Sequence, residues 1–441
     1  MPDDRIYRLA VEGKIVDRLY AKLKAPIAKF FSDILSGRYR KALTRRIDWL
    51  IQSLILKRLS DKTPVQNDKI LFITTRGSFN CNPRAIAEGI IRAGIPWKLV
   101  WATSKEEFKN QQQFPKRLKL VVKGSYEFYK EALSAKVWID NSVQMSYLNV
   151  PKKQNQILIE TWHGSLGLKK FSTNKDRNWL KKSIAAGKRT DYCLSNSSFE
   201  TELFKSTFWK TADIREYGHA RNDILFDNNA DRGKLISKEL RDKLRLPDGV
   251  KVALYAPTFR DNKQNLSFYD LDYSRLINAL EKRFGGTWVI AVRLHYEIKR
   301  SNAKLSVSQS EFVIDVTDYR DIQDLLLIAD VGITDYSSWV FDYVLSGKPA
   351  FLYANDLEAY SDERGFLYPI EKTPFSLAKN MDEMVENILN FDSGVYSAAC
   401  TTFIKEKGCI DDGKAVDRTI NFLIEIINKQ GGLERIYEHW K

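Results

Sequence analysis

Two of the four histidines in this 441-residue chain follow apolar runs that are typical of buried strands. His163 stands in "IETWHGSL" and His295 in "VRLHY". An imidazole titrates near pH ~6.5, so it can take a proton from a hydroxyl group at neutral pH. A structural role is the alternative for each ring. The same order of strand and histidine in both halves favours two functional histidines in one cleft, with Gly164 allowing close approach of a ligand.

The stretch "ITDYSSWVFDY" places Asp335, Ser337 and Ser338 between a strand and a helical run. Hydroxyl side chains at a helix start cap free backbone N–H groups. The same position is also suited to binding a phosphate group. Capping and anion binding are both open interpretations of the two serines.

Arginines and amides follow other strand-like runs at comparable positions. Because a phosphate needs positive charge, Arg260 in "YAPTFRD" and Arg293 in "VRLHY" are candidate phosphate ligands, and "DERGF" adds Arg364. The segment "GHARND" contains three further candidates for ligand contacts or for a hinge: Arg221, Asn222 and Asp223.

Several well-known motifs are missing from the sequence. There is no Gly-rich dinucleotide fingerprint, no Walker motif and no Gly-x-Ser-x-Gly elbow, so a dehydrogenase or a P-loop enzyme is disfavoured. The four cysteines lack metal-ligand spacing, which argues against structural zinc. No nucleic-acid-binding module is recognisable, and we expect no nucleic-acid partner.

The elements that must position these residues alternate between strands and helices. Runs such as "KILFIT", "WKLVWAT", "KVWIDN" and "NQILIET" are separated by helical patterns. The order restarts after a charged stretch at residues 226–249, with "KVALYAP", "TWVIAVRLH", "EFVIDV", "VGITD" and "PAFLY". This alternation predicts an α/β protein with two doubly wound Rossmann-like domains, which bind ligands in a cleft at the carboxyl ends of their strands.

The charge is concentrated at the N-terminus. The whole chain has a net charge of +14, and residues 1–62 contribute 15 Lys or Arg against 7 Asp or Glu. Apolar residues there recur at helical spacing, which predicts basic amphipathic helices that rest on an anionic membrane surface. Packing of these helices on the protein body is the alternative. No run is long enough to span a membrane and no signal peptide is recognisable, so we expect a cytoplasmic protein.

Taken in order, the motifs resemble those of the CDP-glycerol glycerophosphotransferase family, the teichoic-acid primases and polymerases. The likeness covers roughly residues 68–425. It includes "ETWHGSLGLKK", "GHARND", "YAPTFRD", "RLHY", "DERGF" and "CIDDGKAVDR", and it is closest in "YRDIQDLLLIADVGITDYSSWVFDYVLSGKPAFLY". The chain departs from the family pattern at Ser165-Leu166-Gly167, at Ala220 and at Tyr296, which lie around the predicted reacting groups.

The resemblance implies a fold of the GT-B type and transfer of a polyol phosphate, from CDP-glycerol or CDP-ribitol, to a lipid-linked or polymeric anionic acceptor. It implies that His163 is the base and that His295 lies near the donor pyrophosphate. It further implies donor contacts by Asp335, Ser337, Ser338 and Arg364. No resident cofactor is implied, and a divalent cation such as Mg²⁺ with the CDP-linked donor is left open.

The predicted domains are a membrane-associating region at residues 1–62, an acceptor-side domain at 63–224 and a donor-binding domain with closing helices at 225–441. Two other functions are consistent with the same pattern. One is a GT-B glycosyltransferase that uses a nucleotide sugar, and the other is a non-catalytic polyanion- or membrane-binding protein.

Overall fold

The structure is a computed structural model that describes residues 52–170, 177–226, 230–258, 260, 271–294 and 312–428. A helix covers residues 52–62. The remainder of the predicted basic helices lies outside the described residues, and so do His295 and His439. Within the described part, no helix is both long and apolar enough to cross a membrane.

The first sheet has seven parallel strands, numbered β1 to β7 in the chain order given below, and their order in the sheet is β3-β2-β1-β4-β5-β6-β7. We call this sheet and its helices the first lobe. Every strand predicted in the first half of the chain is present. The strands are Gln66–Ile73, Lys98–Thr103, Lys119–Val122, Ala135–Asp140, Ile157–Glu160, Tyr192–Ser195 and Asp213–Glu216.

The second sheet has six parallel strands, numbered β8 to β13 in the chain order given below. Their order in the sheet is β10-β9-β8-β11-β12-β13. This sheet and its helices are the second lobe. The strands are Lys251–Tyr255, Trp288–Val292, Val313–Asp315, Val331–Thr334, Ala350–Tyr353 and Ser376–Ala378. The sequence did not reveal the last of these, because Ser376, Leu377 and Ala378 do not form part of an apolar run.

Helices connect the strands in both lobes, as parallel pairing requires. In the first lobe they are Cys81–Arg92, Lys105–Lys109, Tyr126–Ser134, Gln144–Tyr147, Arg177–Gly187 and Ser198–Ser206. The chain then continues with Ala230–Lys243, Tyr273–Phe284, Ile322–Ile328, Trp339–Tyr343, Leu357–Arg364, Met381–Leu389, Ser393–Glu406 and Ala415–Asn428. Short 3₁₀ segments are Gln111–Gln113, Ala220–Leu225, Val344–Ser346 and Ile370–Lys372.

Both sheets have the Rossmann strand order, which reverses between β1 and β4 in the first lobe and between β8 and β11 in the second. Loops at such a reversal diverge and leave a crevice at the carboxyl ends of the strands. The predicted α/β fold with two doubly wound sheets is therefore confirmed.

The helix Ala415–Asn428, the last in the described part of the chain, packs on the first lobe although it follows the second in sequence. Its apolar side chains, including Val416, Ile420 and Leu423, share a hydrophobic cluster with Ile86 and Ile90. Burial of such side chains contributes about 1.5–3 kcal/mol each. The segment that follows the second lobe thereby returns to the first sheet. The domain limits at residues 62 and 224 stay predictions.

A loop of the first lobe, residues 164–170, crosses to the second lobe. Leu166 and Leu168 are almost fully buried within the hydrophobic cluster of the second lobe. The backbone oxygen of Leu168 accepts a hydrogen bond from the Leu367 amide at 2.7 Å, and Tyr368 Oη donates to the oxygen of Leu166 at 2.5 Å. The segment that begins next to His163 is thus fixed on the opposite lobe.

Candidate active site

His163 lies just beyond strand β5, and its ring is held by the end of the neighbouring strand. Nδ1 lies 2.6 Å from the backbone oxygen of Asn141. A carbonyl oxygen can only accept, so Nδ1 donates and the lone pair of the neutral ring is on Nε2. Trp162 has a φ of +51°, and its ring centroid lies 4.3 Å from that of His163. The loop therefore presents a tautomer with a basic Nε2.

Two buried carboxyl groups, which sequence reasoning missed, hold this loop. Asp140 and Glu160 end the adjacent strands β4 and β5 and lie opposite each other in register. Glu160 accepts from the amides of Val143 and Trp162, both at 3.0 Å, and Asp140 accepts from the Ser142 amide at 2.9 Å. Burial raises the pKa of both carboxyls, that of Glu160 well above its usual value. The sequence did contain a signal for these two carboxyl groups, because two successive apolar runs each end in an acidic residue.

A side chain at position 164 would collide with the Trp162 indole, so the position favours glycine. A Cβ atom at this position would lie 2.9 Å from Nε1 of Trp162. The backbone oxygen of Gly164 accepts a hydrogen bond from Nη2 of Arg221 at 2.7 Å. The glycine thus lets the chain fold tightly over the Trp162 indole.

The ring of His163 is accessible from the cleft, and the protein atoms around it lower its pKa by partial desolvation; the positive charge of Arg221 acts in the same direction, although the bond to Asn141 opposes this. A base acts in its neutral form, which predominates above its pKa. We therefore expect the acid limb of kcat/KM for the transfer reaction to fall below about pH 6.5. A pH–rate profile measures this. A limb above pH 7, or an unchanged limb in His163→Asn, would contradict the assignment.

The carboxyl ends of both sheets enclose a cavity of about 240 Å³. Five residues predicted for the site line it together: His163, Arg221, Arg293, Ser337 and Ser338. The other lining residues are Asn80, Cys81, Arg320, Asp321, Ile322, Trp339 and Asp342. Residues that are far apart in the sequence thus meet in one space between the lobes.

Arg293 brings a positive charge to the wall of this cavity. Its Nη2 donates to the backbone oxygen of Tyr319 at 3.1 Å. Its Nε is buried and has no hydrogen-bond partner among the residues that the structure describes. Burial lowers its pKa, and the positive charge of Arg76 acts in the same direction. A half-buried guanidinium with an unused donor is suited to binding an anion.

Ser338 directly precedes the short helix Trp339–Tyr343, yet its side chain makes no capping hydrogen bond. Nε1 of Trp339 donates to the backbone oxygen of Ala256 at 2.9 Å, which anchors the helix on the loop directly after strand β8. The capping interpretation does not hold for Ser338. Ser338, like Ser337, lines the cavity.

Arg260 and Asp335 lie in a separate, buried network. Asp335 accepts from the Thr258 amide at 2.8 Å and pairs with Nη1 of Arg260 at 2.8 Å. Arg260 also forms a two-pronged pair with Asp356, at 2.6 and 3.0 Å. These bonds join the loops after β8 and β11, and neither residue lines the cavity. Direct contact of Arg260 or Asp335 with a donor stays a prediction.

Arg364 ends the helix Leu357–Arg364 and lies near Lys169 on the crossing loop. Burial lowers the pKa of Lys169 to about 8, and the charge of Arg364 contributes to the shift. Nζ of Lys169 is 3.3 Å from Oγ1 of Thr258. These two cations lie beside the strand reversal of the second lobe and outside the cavity.

The three residues of the "GHARND" segment predicted as ligand contacts or a hinge connect structural elements. Arg221 forms a two-pronged pair with Asp342 across the lobes, at 2.9 and 3.1 Å. Nδ2 of Asn222 donates to the same carboxylate at 3.0 Å. Asp223 accepts from the Ala415 amide at 2.9 Å and so holds the start of the last helix. Only Arg221 of these three also lines the cavity.

Two parallel, doubly wound sheets that face each other across a cleft, with a histidine on one wall and arginine and serine on the other, define a transferase of the GT-B type. The chain belongs to the CDP-glycerol:poly(glycerophosphate) glycerophosphotransferase family, whose pattern matches residues 55–425. Membership of this family confirms that the chain is a transferase.

Individual relatives agree with this assignment. The chain is 30% identical over 419 residues to a teichoic acid poly(glycerol phosphate) polymerase of Staphylococcus epidermidis, covering 86% of this chain but only 54% of that protein. It is 29% identical to the polymerase of that description from Bacillus spizizenii, covering 88% of this chain and 98% of the relative. The solved structure of the wall teichoic acid polymerase TagF superposes with a TM-score of 0.72 at 29% identity, over 89% of this chain and 98% of the other.

Among the described residues, no group of three or more His, Cys, Asp or Glu side chains could hold a metal ion. Asp140 and Glu160 are only two residues, and their carboxyl groups already accept hydrogen bonds from backbone amides.

Proposed function

We propose that this protein transfers glycerol phosphate from CDP-glycerol to a hydroxyl group of a membrane-linked anionic acceptor and releases CMP. The cavity between the lobes carries this proposal, because it joins a basic histidine nitrogen to an arginine with an unused donor. The names of the relatives support glycerol phosphate as the transferred group.

In this reaction the acceptor hydroxyl attacks the phosphorus that bears glycerol. A new P–O bond forms, the P–O bond to the CMP phosphate breaks, and the electron pair leaves with CMP. Nε2 of His163 takes the hydroxyl proton. The hydrogen bond from Nδ1 to Asn141 holds the ring in the tautomer required.

Negative charge develops on the leaving CMP, and the opposite wall of the cavity would stabilise it. Arg293, Ser337 and Ser338 provide donors there. One such preorganised donor contributes about 3 kcal/mol to the stabilisation of a transition state. We assign Arg260, Asp335 and Arg221 positioning roles, because their charges are already paired. His295, outside the described residues, remains our second candidate at the donor pyrophosphate.

We place the reaction at the cytoplasmic face of the membrane. Residues 1–62, with a net charge of +8 from 15 basic and 7 acidic side chains, would hold the enzyme on anionic lipid. The first lobe would then receive the acceptor and the second lobe the CDP-linked donor. This division follows the predicted limits at residues 63–224 and 225–441.

The donor can be identified by following CMP release from the purified full-length chain with a lipid acceptor. We expect acceptor-dependent release with CDP-glycerol and at least 10-fold less, on the order of 1.4 kcal/mol, with CDP-ribitol. CDP-ribitol is the second candidate because a ribitol-phosphate primase is among the relatives. Faster release with CDP-ribitol would replace glycerol in the proposal. UDP or GDP release from a nucleotide sugar, without CMP release, would overturn the proposal in favour of a glycosyltransferase.

A further inference from the structure

The segment "CIDDGKAVDR" brings one carboxylate, that of Asp411, to the ends of strands β6 and β7. Oδ1 of Asp411 accepts from the His219 amide at 2.7 Å. Oδ2 accepts from Nδ2 of Asn196 at 2.8 Å and from Nδ2 of Asn222 at 3.1 Å. Burial raises the pKa of this carboxyl, and the three hydrogen bonds oppose the shift. Donors thus converge on Asp411 from three places in the first lobe.

Backbone contacts set the position of Asp411. The Ile410 amide donates to the backbone oxygen of Asn196 at 2.9 Å, so this segment runs beside the loop after β6. Gly218 has a φ of +86°, and a Cβ there would lie 2.8 Å from Oδ1 of Asp411. The glycine therefore permits the close approach of the carboxylate to the loop after β7.

A first path of hydrogen bonds leads from Asp411 to the loop that carries His163. Nδ2 of Asn196 has two N–H groups, of which one serves Asp411 and the other donates to Oγ of Ser165 at 3.1 Å. Ser165 and Asn196 are both almost fully buried, so loss of this bond would leave a polar group without a partner. Ser165 stands two positions after His163.

A second path reaches the same loop through the opposite lobe. Nδ2 of Asn222 donates both to Asp411 and to the carboxylate of Asp342, the latter at 3.0 Å. Asp342 also accepts from Nη2 of Arg221 at 3.1 Å. The same Nη2 donates to the backbone oxygen of Gly164 at 2.7 Å. The second path therefore ends on the residue that directly follows His163.

The two paths form a closed hydrogen-bond network, because they end on consecutive residues of one loop. We call it the Asp411 network, and its side chains are Ser165, Asn196, Asp411, Asn222, Asp342 and Arg221. Asp342 belongs to the second lobe, so the network is complete only while the two lobes are in contact. On the other side of His163, the Trp162 amide is held by Glu160 at 3.0 Å.

We propose that Asp411 is a positioning residue, which directs Nε2 of His163 toward the acceptor hydroxyl through this network. This inference rests on the proposed function and deepens it. The bond from Nδ1 to Asn141 sets the rotation of the imidazole, while the contacts of Gly164 and Ser165 fix the backbone that carries it. Without the Asp411 carboxylate both paths lose their common acceptor. A displacement of about 1 Å at a reacting group can lower a rate about 100-fold.

The test is a double-mutant cycle on acceptor-dependent CMP release by the full-length chain, with CDP-glycerol and a lipid acceptor. Asp411→Asn keeps the shape of the side chain, but its amide nitrogen cannot accept, so at least one converging N–H group loses its acceptor. We expect kcat to fall about 10- to 100-fold while the KM of CDP-glycerol changes less than about 2-fold. In a His163→Ala background the same substitution should lower kcat less than about 2-fold further, because the base that it positions is already absent.

Asp412→Asn is the matched control. Asp412 is the neighbouring carboxylate, and it pairs with Arg418 at 2.7 Å on the surface. This variant should retain the wild-type kcat. Ser165→Ala is the second test variant, because it removes only the acceptor of the first path. Its kcat should fall about 3- to 10-fold, again only when His163 is present. It takes the place of Asp411→Asn in the cycle if circular dichroism shows that Asp411→Asn is unfolded.

Equal fold losses in the two backgrounds would show that Asp411 acts independently of His163, which would overturn the positioning role and leave the proposed function standing. The same conclusion follows if folded Asp411→Asn retains the wild-type kcat, or if only the KM of CDP-glycerol changes. A wild-type protein that releases no CMP from CDP-glycerol would instead overturn the proposed function, and this inference with it.

Discussion

Replacing His163 by alanine is expected to slow acceptor-dependent CMP release by about 10²–10⁴-fold, because a general base contributes that much to proton transfer. His163 meets the geometric requirement for this role. Its Nδ1 is held by Asn141 at 2.6 Å, which leaves Nε2 as the basic atom in a cavity shared with Arg293. Steady-state kinetics with saturating donor measures the effect.

His163→Asn separates loss of the base from damage to the loop. An asparagine amide can still donate toward the backbone oxygen of Asn141, but it has no basic nitrogen in place of Nε2. We therefore expect both variants to lose activity to a similar extent while retaining their affinity for CDP-glycerol. Activity within about 10-fold of wild type in His163→Asn would rule out the role of His163 as the base.

Replacing Arg260 by alanine should destabilise the second lobe by about 3–5 kcal/mol, because removing one partner leaves buried charges uncompensated. The guanidinium pairs with Asp335 at 2.8 Å and with Asp356 at 2.6 Å. It also lies 5.0 Å from the ring centroid of Tyr336. These contacts raise the pKa of Arg260 above its usual value, so its charge persists at every pH at which the protein is folded.

Urea denaturation followed by circular dichroism and by tryptophan fluorescence measures this loss, and the two probes show whether the lobes unfold together. Arg275→Ala is the control, because Arg275 pairs with Asp382 on the exposed surface and its loss should leave the urea midpoint unchanged. If Arg260→Ala lowers stability by less than about 1 kcal/mol, the network is not the support that we infer. Arg260→Lys should recover only part of the stability, since lysine lacks the two-pronged geometry.

Much of the fold could be predicted because a buried strand leaves a local mark. Runs such as "KILFIT" and "NQILIET" have an uninterrupted apolar centre, since strands in a parallel sheet are covered on both sides. Strand β13, Ser376–Ala378, has three residues of mixed burial and leaves no such mark. The position of the helix Ala415–Asn428 on the first lobe also escaped the sequence, because an amphipathic helix does not specify which surface it covers.

The candidate site, like the fold, has features that the sequence determined and features that only the tertiary structure decided. The sequence by itself determined that His163, Arg293 and Ser338 follow strands, and the strand order of a doubly wound sheet then brings strand ends into one cleft. Only the tertiary structure decided how each charge is used. Arg260 and Arg293 both follow strands of the second lobe, yet Arg260 is enclosed by Asp335 and Asp356 while Nε of Arg293 has no partner among the described residues.

The ion pair of Arg221 with Asp342 shows why the sequence alone did not reveal the partners of the charged residues. These residues are 121 positions apart, and Asp342 lies within a helix where nothing local marks it as a partner. Electrostatic and hydrogen-bond partners depend on distance in space and on burial, which local periodicity does not encode. The sequence therefore determined the strands and the residues at their ends. Which of those residues bind one another, and which remain for a substrate, was decided by the packing of the two lobes.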